Sequence, residues 1–517
     1  MNLTFLLCIV VIGLVMLIWD CVEVGRNDAA NLVNAVFGAR VMARNTAVLI
    51  AGIAVVLGAT FAAPVMETAR KGIFDPSAFS VLDPAVAVQA VMIIYITAYL
   101  VDTVLLHTYS AFGMPVSTTA SLVFELVGAA AAVAWLSGVG SQVVSWDKVG
   151  TVISAIVISI FISGVAGWMM QRMFRGAIRE QPANPLRVLQ HGPWIAGMMF
   201  SGLSWFLIMK GLKSVSYIKA LKSATFDEVG PVAMLLIMWA VYTLIIHICL
   251  RFNKVKGPKY LFRITAVVGM ICLSFAFGQN DLANCASPGL SSFWLYQNMD
   301  KGTSAATEIP IPMWALFGCG VLMVIGMSSK NAQRVTRAAV NTGSQYDHVS
   351  IYAPQWCRRI ARVFVKEHDP EAELAPPPQL NEDGKRVHFD PMRASVIMSV
   401  SASVIALASS SGIPVSTTYV TFACVVSTGM ADGVMGRGDA DLKIGRAIWT
   451  VFSWFAGAGI AMVAAGLVGG LIFKLEYWGL ALALGGNFLI RFLVTKRSAA
   501  HELTYHKNTP KIEPQTP

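Results

Sequence analysis

Two short polar motifs each occur twice in this chain, in the same order. Gly25-Arg26-Asn27-Asp28-Ala29-Ala30-Asn31 returns as Gly278-Gln279-Asn280-Asp281-Leu282-Ala283-Asn284. Gly113-Met114-Pro115-Val116-Ser117-Thr118-Thr119 returns as Gly412-Ile413-Pro414-Val415-Ser416-Thr417-Thr418. In the first motif a carboxylate and an amide lie three residues apart, so on a helix they share one face. Carboxylate and amide oxygens form a hard donor set that suits a weakly held alkali cation better than a transition metal. Asp28, Asn31, Asp281 and Asn284, flanked by Asn27 and Asn280, are the expected cation ligands, with sodium as a candidate ion. In the second motif a proline suits a helix start, where its missing N–H is not needed. The hydroxyls of Ser117, Thr118, Thr119, Ser416, Thr417 and Thr418 follow. Free backbone N–H groups and the helix dipole favour an anion there. Two such termini facing each other across a pseudo-two-fold axis would cradle a small oxyanion. Ordinary N-capping is the plainer reading of one copy. Two copies, each beside an acidic motif in apolar surroundings, favour binding.

The elements that must position these groups are membrane helices. Hydrophobic residues make up 56% of the 517 and charged ones 13%, against roughly 25% charged in a soluble domain. Mean hydropathy is +0.62. An aspartate inside a spanning segment costs about 2.5–3.5 kcal/mol on insertion scales; two at matching places imply a role. The expected fold is all-α: a polytopic membrane protein of roughly ten to twelve transmembrane helices. It would hold two inverted repeats with re-entrant or broken hairpins at 115–137 and 414–431, the plan of a secondary transporter. The apolar run from Leu3 to Trp19 leads into Asp20, Glu23 and the first motif, and reads as a retained first helix.

The expected organisation is a first repeat at 1–190, connecting helices at 191–260, and a second repeat beginning at 261–330. A polar cytoplasmic loop at 331–391 and the rest of the second repeat at 392–495 follow, then a polar tail at 496–517. The loop carries Pro376-Pro377-Pro378, and reads as helical near its start and flexible near the prolines. It accounts for most of the wider motif spacing in the second half. Basic clusters around Arg172–Arg187, Arg251–Arg263, Lys330–Lys366 and Arg491–Arg497 are expected on the cytoplasmic side and explain the net charge of +10; nucleic acid is not an expected partner. The eight cysteines show no paired spacing and read as small buried residues. No organic cofactor is expected.

At these residues the chain resembles the inorganic phosphate transporter family, whose members carry a duplicated G-x-N-D-x-x-N signature and a duplicated P-x-S-[ST]-[ST] signature. Gly38-Ala39-Arg40, Pro288 and Met430-Ala431-Asp432-Gly433 are further local matches. The resemblance spans about 20–130 and 265–475. It implies a phosphate importer of the cell (plasma) membrane, embedded in the lipid bilayer, coupled to sodium or protons, with a homo-oligomer as an expected state. Phosphate would be held by the six hydroxyl residues and the cation by the two Asn-Asp motifs. The chain departs from the family at Ala120 and Tyr419, where a histidine is common, at Phe124 and Glu125, at Arg26, and at the added acids Asp20 and Glu23. Glu125 is either a proton site or the partner of Arg26. Asp102 stands in another apolar run, and its plainest place is a wetted helix end.

A sulfate permease of the same architecture is the alternative within the class. An intramembrane metal–diphosphate enzyme is the alternative outside it, and is discounted because neither Asn-Asp motif is followed by the second acid that would bridge metal ions. The chain therefore reads as a non-enzyme. It also lacks a nucleotide-binding G-x-x-x-x-G-K-[ST] loop.

Overall fold

A computed structural model describes residues 3–62, 73–178, 185–206, 216–221, 229–306, 311–345, 351–365, 387–410, 415–434 and 439–508, with a few single residues between them. The fold is all-α; among the described residues the only extended pairing is one bridge between Phe74 and Val144. The principal helices are α1 (Leu3–Gly38), α2 (Arg44–Thr60), α3 (Pro84–Ala111), α4 (Thr118–Ser137), α5 (Trp146–Ala177), α6 (Pro185–Phe206), α7 (Pro231–Phe252) and α8 (Gly257–Gln297). They continue as α9 (Met313–Met327), α10 (Lys330–Thr342), α11 (Gln355–Phe364), α12 (Pro391–Ser410), α13 (Thr417–Ala431), α14 (Ala440–Leu475) and α15 (Tyr477–Asn508).

Nine described helices are long and apolar enough to cross a bilayer, or ten if α9 and α10, bent by 68°, form one broken span. The sequence suggests ten to twelve. The difference lies partly in α2 and α13, which have 17 and 15 residues and fall short of the roughly 20 that a simple span needs. Helix α1 shows how burial divides along one element. Leu3, Leu7, Val11, Val15 and Ile18 are exposed at three- and four-residue steps, the spacing of a lipid-facing stripe. From Asp20 to Asn31 every residue but Val22 and Arg26 is buried. The apolar half meets lipid and the polar half meets protein.

The two repeats are interlaced. Helix α1 of the first packs against α9 of the second, and α2 of the first against α8 of the second. A methyl group on Gly25 would overlap the Met323 carbonyl, and one on Gly326 would overlap that of Val22. The symmetry-related pair behaves alike, with Gly278 against the Val55 carbonyl and Gly58 against that of Phe275. The motif glycines therefore let backbones touch, as small residues do where membrane helices meet. The hairpin helices cross over as well: α4 packs on α14, and α13 on α5.

Several sequence expectations change. Arg175 and Arg491 are not loop charges. Arg175 is buried, its Nη2 2.9 Å from Asp432, and it also bonds Asp390. Arg491 is buried against Glu23, with its guanidinium 4.0 Å from the Trp19 ring centroid. The start of the polar insertion is helical as expected, in α10 and α11; Pro376-Pro377-Pro378 lie outside the described residues. All eight cysteines are free thiols, and Cys249 is exposed rather than buried.

Candidate functional site

Helices α4 and α13 begin with the same local chemistry. Ser117 and Ser416 are N-caps in extended conformation, and their hydroxyl oxygens accept hydrogen bonds from the N–H groups of Ala120 (3.1 Å) and Tyr419 (3.2 Å). The expected proline at the first helical position is not found in the first copy: Pro115 precedes the cap, and its carbonyl accepts from Trp454 Nε1 at 2.9 Å. Pro414 lies outside the described residues.

Each hairpin tip reaches the acidic motif of the other repeat. Thr418 Oγ1 donates to Asp28 Oδ1 at 2.7 Å, and within its own repeat Thr417 Oγ1 donates to Asp281 Oδ2 at 2.8 Å. Thr118 Oγ1 lies 3.2 Å and Thr119 Oγ1 3.4 Å from Asp281 Oδ1. The amides follow: Asn31 Nδ2 donates to Asp28 and to Thr418, both at 2.9 Å. Asn284 Nδ2 donates to Asp281 at 3.0 Å and to Thr119 at 2.9 Å. Both carboxylate–amide pairs thus use the helical i, i+3 spacing read from the sequence. Asn27 and Asn280 fix the hairpin backbones. Asn27 Oδ1 accepts from the Val116 N–H at 3.0 Å, and Asn280 Nδ2 donates to the Val415 carbonyl at 2.8 Å.

All twelve residues expected at the site are brought together, and none is more than 5% exposed. Two oxygens, Asp28 Oδ2 and Asn280 Oδ1, are buried and accept no hydrogen bond from a described residue. Orphaned acceptors of this kind are costly. They are hard donors of the type an alkali cation takes, so the residues fit such an ion.

The residues that depart from the family pattern have definite places. Arg26 does not pair with Glu125; its Nη1 lies 2.8 Å from Glu23. Nor is Asp102 at a wetted helix end: it is 4% exposed, and its Oδ1 accepts from Ser121 at 2.6 Å. Glu125 accepts from the same hydroxyl at 2.7 Å. Tyr419 lies stacked on Trp454, ring centroids 3.9 Å apart, with its hydroxyl in reach of Ser117 on the opposite hairpin. Sequence reasoning passed over Trp454 and Ser121. The first sits in a long apolar helix and the second is one serine among many, so neither carries a sequence signal.

A bundle of buried helices whose repeats exchange polar tips at its centre defines the class: a multi-pass membrane carrier rather than an enzyme. The model of the phosphate transporter family matches residues 24–341, and the chain belongs to that family. It is 28% identical over 477 residues to a Pyrococcus abyssi protein named "putative phosphate permease", covering 91% of this chain and 98% of that one. A Pyrococcus horikoshii protein of the same description is 26% identical, with 87% and 93% covered. A shorter stretch of 173 residues, 33% of this chain and 30% of the relative, is 34% identical to a Mycobacterium bovis permease. Among solved structures, "The sodium-dependent phosphate transporter" shares the fold with a TM-score of 0.64 at 19% identity, over 91% of this chain and all of that one.

Proposed function

We propose that this protein imports inorganic phosphate across the cell membrane, driven by a monovalent cation held at the two Asn-Asp motifs. The observation that carries this reading is the crosswise bonding of hairpin hydroxyls to the acidic motifs, Thr418 to Asp28 and Thr118 and Thr119 to Asp281. Each hydroxyl has one hydrogen. While it serves the carboxylate it cannot serve an anion. One monovalent cation at each Asn-Asp motif, reaching the orphaned oxygens of Asp28 and Asn280, would offset the two carboxylates and release the hydroxyls. Ser117, Thr118, Thr119, Ser416, Thr417 and Thr418 could then donate to a tetrahedral oxyanion. An anion arriving without the cations would add its charge to two buried carboxylates. Each ion therefore raises the affinity of the other, which is the thermodynamic content of coupling.

Family membership and the names of the relatives support phosphate as the substrate, and the solved transporter of like fold is described as sodium-dependent. The exchange of faces is assigned to the rocking of one bundle against the other. The test is radiolabelled phosphate uptake into proteoliposomes, with sodium and proton gradients imposed separately and excess sulfate as competitor. Uptake driven by a cation gradient and resistant to sulfate is the expected result. Uptake abolished by sulfate would replace phosphate with sulfate, and uptake indifferent to both gradients would end the symport reading.

A further inference from the structure

Two groups of acids lie on or beside α1, and they are treated differently. Glu23 is met by three basic side chains, Arg26, His107 and Arg491. Asp20, one turn earlier, is 1% exposed, and neither of its oxygens accepts a hydrogen bond from a described residue. Its polar neighbour is another acid, Asp102 of α3. Asp102 in turn neighbours Glu125 of α4, which is fully buried and whose Oε2 also has no described donor. Ser121 Oγ bridges the two at 2.6 Å and 2.7 Å.

Among the described residues no basic side chain donates to Asp20 or to Glu125 Oε2. From α3, Tyr99 faces Asp20, but its hydroxyl hydrogen goes to the Cys285 carbonyl and its oxygen accepts from the Gly289 N–H at 2.7 Å. From α8 the facing group is the Cys285 thiol, whose hydrogen is directed to the Leu282 carbonyl at 3.4 Å. From α1, Cys21 lies beside Cys285, and Asp28 and Glu23 add negative charge. From α15, Arg491 interacts electrostatically with Asp20, but the carboxylate it bonds is that of Glu23.

Three bare carboxylates in contact away from water are not sustainable. The hydrogen inventory says the same. The Ser121 hydroxyl has one hydrogen yet sits at hydrogen-bond distance from two carboxylates. The second contact requires a hydrogen on one of the two acids, Asp102 or Glu125. No cluster of three or more acidic, histidine or cysteine side chains suited to a metal ion occurs among the described residues.

We propose that Asp102 and Glu125, bridged by Ser121 and with Asp20 beside them, form a proton-binding site separate from the Asp28–Asp281 centre. A proton adds to a carboxylate oxygen and leaves from it, with no other bond made or broken. Ser121 lies in the first turn of α4, two residues beyond Thr119. Protonation therefore changes the grip on the helix that carries one hairpin tip. Use of the site in transport rests on the function proposed above; its existence does not.

Infrared difference spectra of the reconstituted full chain between acid and alkaline buffer, without phosphate, test the site directly. The wild type should show a protonated-carboxyl band that Glu125→Gln and Asp102→Asn each reduce, in one shared pH interval. Ser121→Ala, which removes no acid, should shift that interval while keeping the band. A trapped pH dye should report fewer protons moved per phosphate in Glu125→Gln than in wild type. A band unchanged in both acid variants, or one displaced by saturating sodium, would overturn the proposal. A band that titrates and depends on Glu125 in a protein without phosphate uptake would uphold the site and remove the transport reading instead.

Discussion

Replacing Asp281 by asparagine separates the cation role of the site from its role in folding. The carboxylate accepts from Thr417 at 2.8 Å and from Asn284 at 3.0 Å, with longer contacts to Thr118, Thr119 and Asn280. An asparagine oxygen placed at Oδ1 keeps Asn284, and the new amide at Oδ2 faces a Thr417 hydroxyl that can turn and accept. Converting two charge-assisted hydrogen bonds to neutral ones costs about 1 kcal/mol each. A total of about 2 kcal/mol should leave a membrane-inserted, folded protein. The cation loses far more. A unit charge about 4 Å away in a medium of effective dielectric constant about 20 is worth about 4 kcal/mol, which is about a thousandfold in affinity at 1.4 kcal/mol per decade. The assay is initial phosphate uptake against driving-cation concentration, with equal protein in the vesicles. The half-saturating cation concentration should rise beyond reach in Asp281→Asn, and likewise in Asp28→Asn, whose carboxylate accepts from Thr418 and Asn31. An unchanged half-saturation in either variant would refute the cation role of that carboxylate.

Other outcomes follow from the same geometry. Thr118→Ala and Thr417→Ala each remove one donor to a charged group, worth about 1.5–3 kcal/mol; the phosphate concentration for half-maximal uptake should rise by roughly 10- to 100-fold, and unchanged values in both would take the hairpin tips out of the anion site. Gly25→Ala and Gly278→Ala drive a methyl into a facing backbone carbonyl and should cost about 1–3 kcal/mol or more, read as a lower melting temperature in detergent, whereas Gly13→Ala meets no neighbour and should leave it unchanged. Asp432→Asn breaks a buried pair in which Arg175 and Gln171 both contact the carboxylate; a loss of about 3–5 kcal/mol should appear as poor recovery of monodisperse protein.

Much of the site was legible because its residues are local and doubled. The i, i+3 spacing of Asp28 with Asn31, and of Asp281 with Asn284, puts each pair on one helical face regardless of the rest of the fold. The serine caps at Ser117 and Ser416 are equally local. The long apolar runs announced a membrane bundle because hydrophobic length is a property of a segment. The number of spans was less legible, since α2 and α13 are apolar but too short to cross.

What the sequence alone determined, then, is composition, periodicity and the repeated motifs, all of which depend on residues a few positions apart. Tertiary structure alone decided that each hairpin serves the acidic motif of the other repeat, because Thr418 and Asp28 are 390 residues apart and meet only once the repeats interlace. It also decided the fate of the remaining charges. Glu23 and Asp20 stand three residues apart on one helix, yet one is paired with an arginine from α15 and the other receives no hydrogen bond from a described residue. Charge compensation in a membrane interior is set by which helices pack together, and no local spacing encodes that.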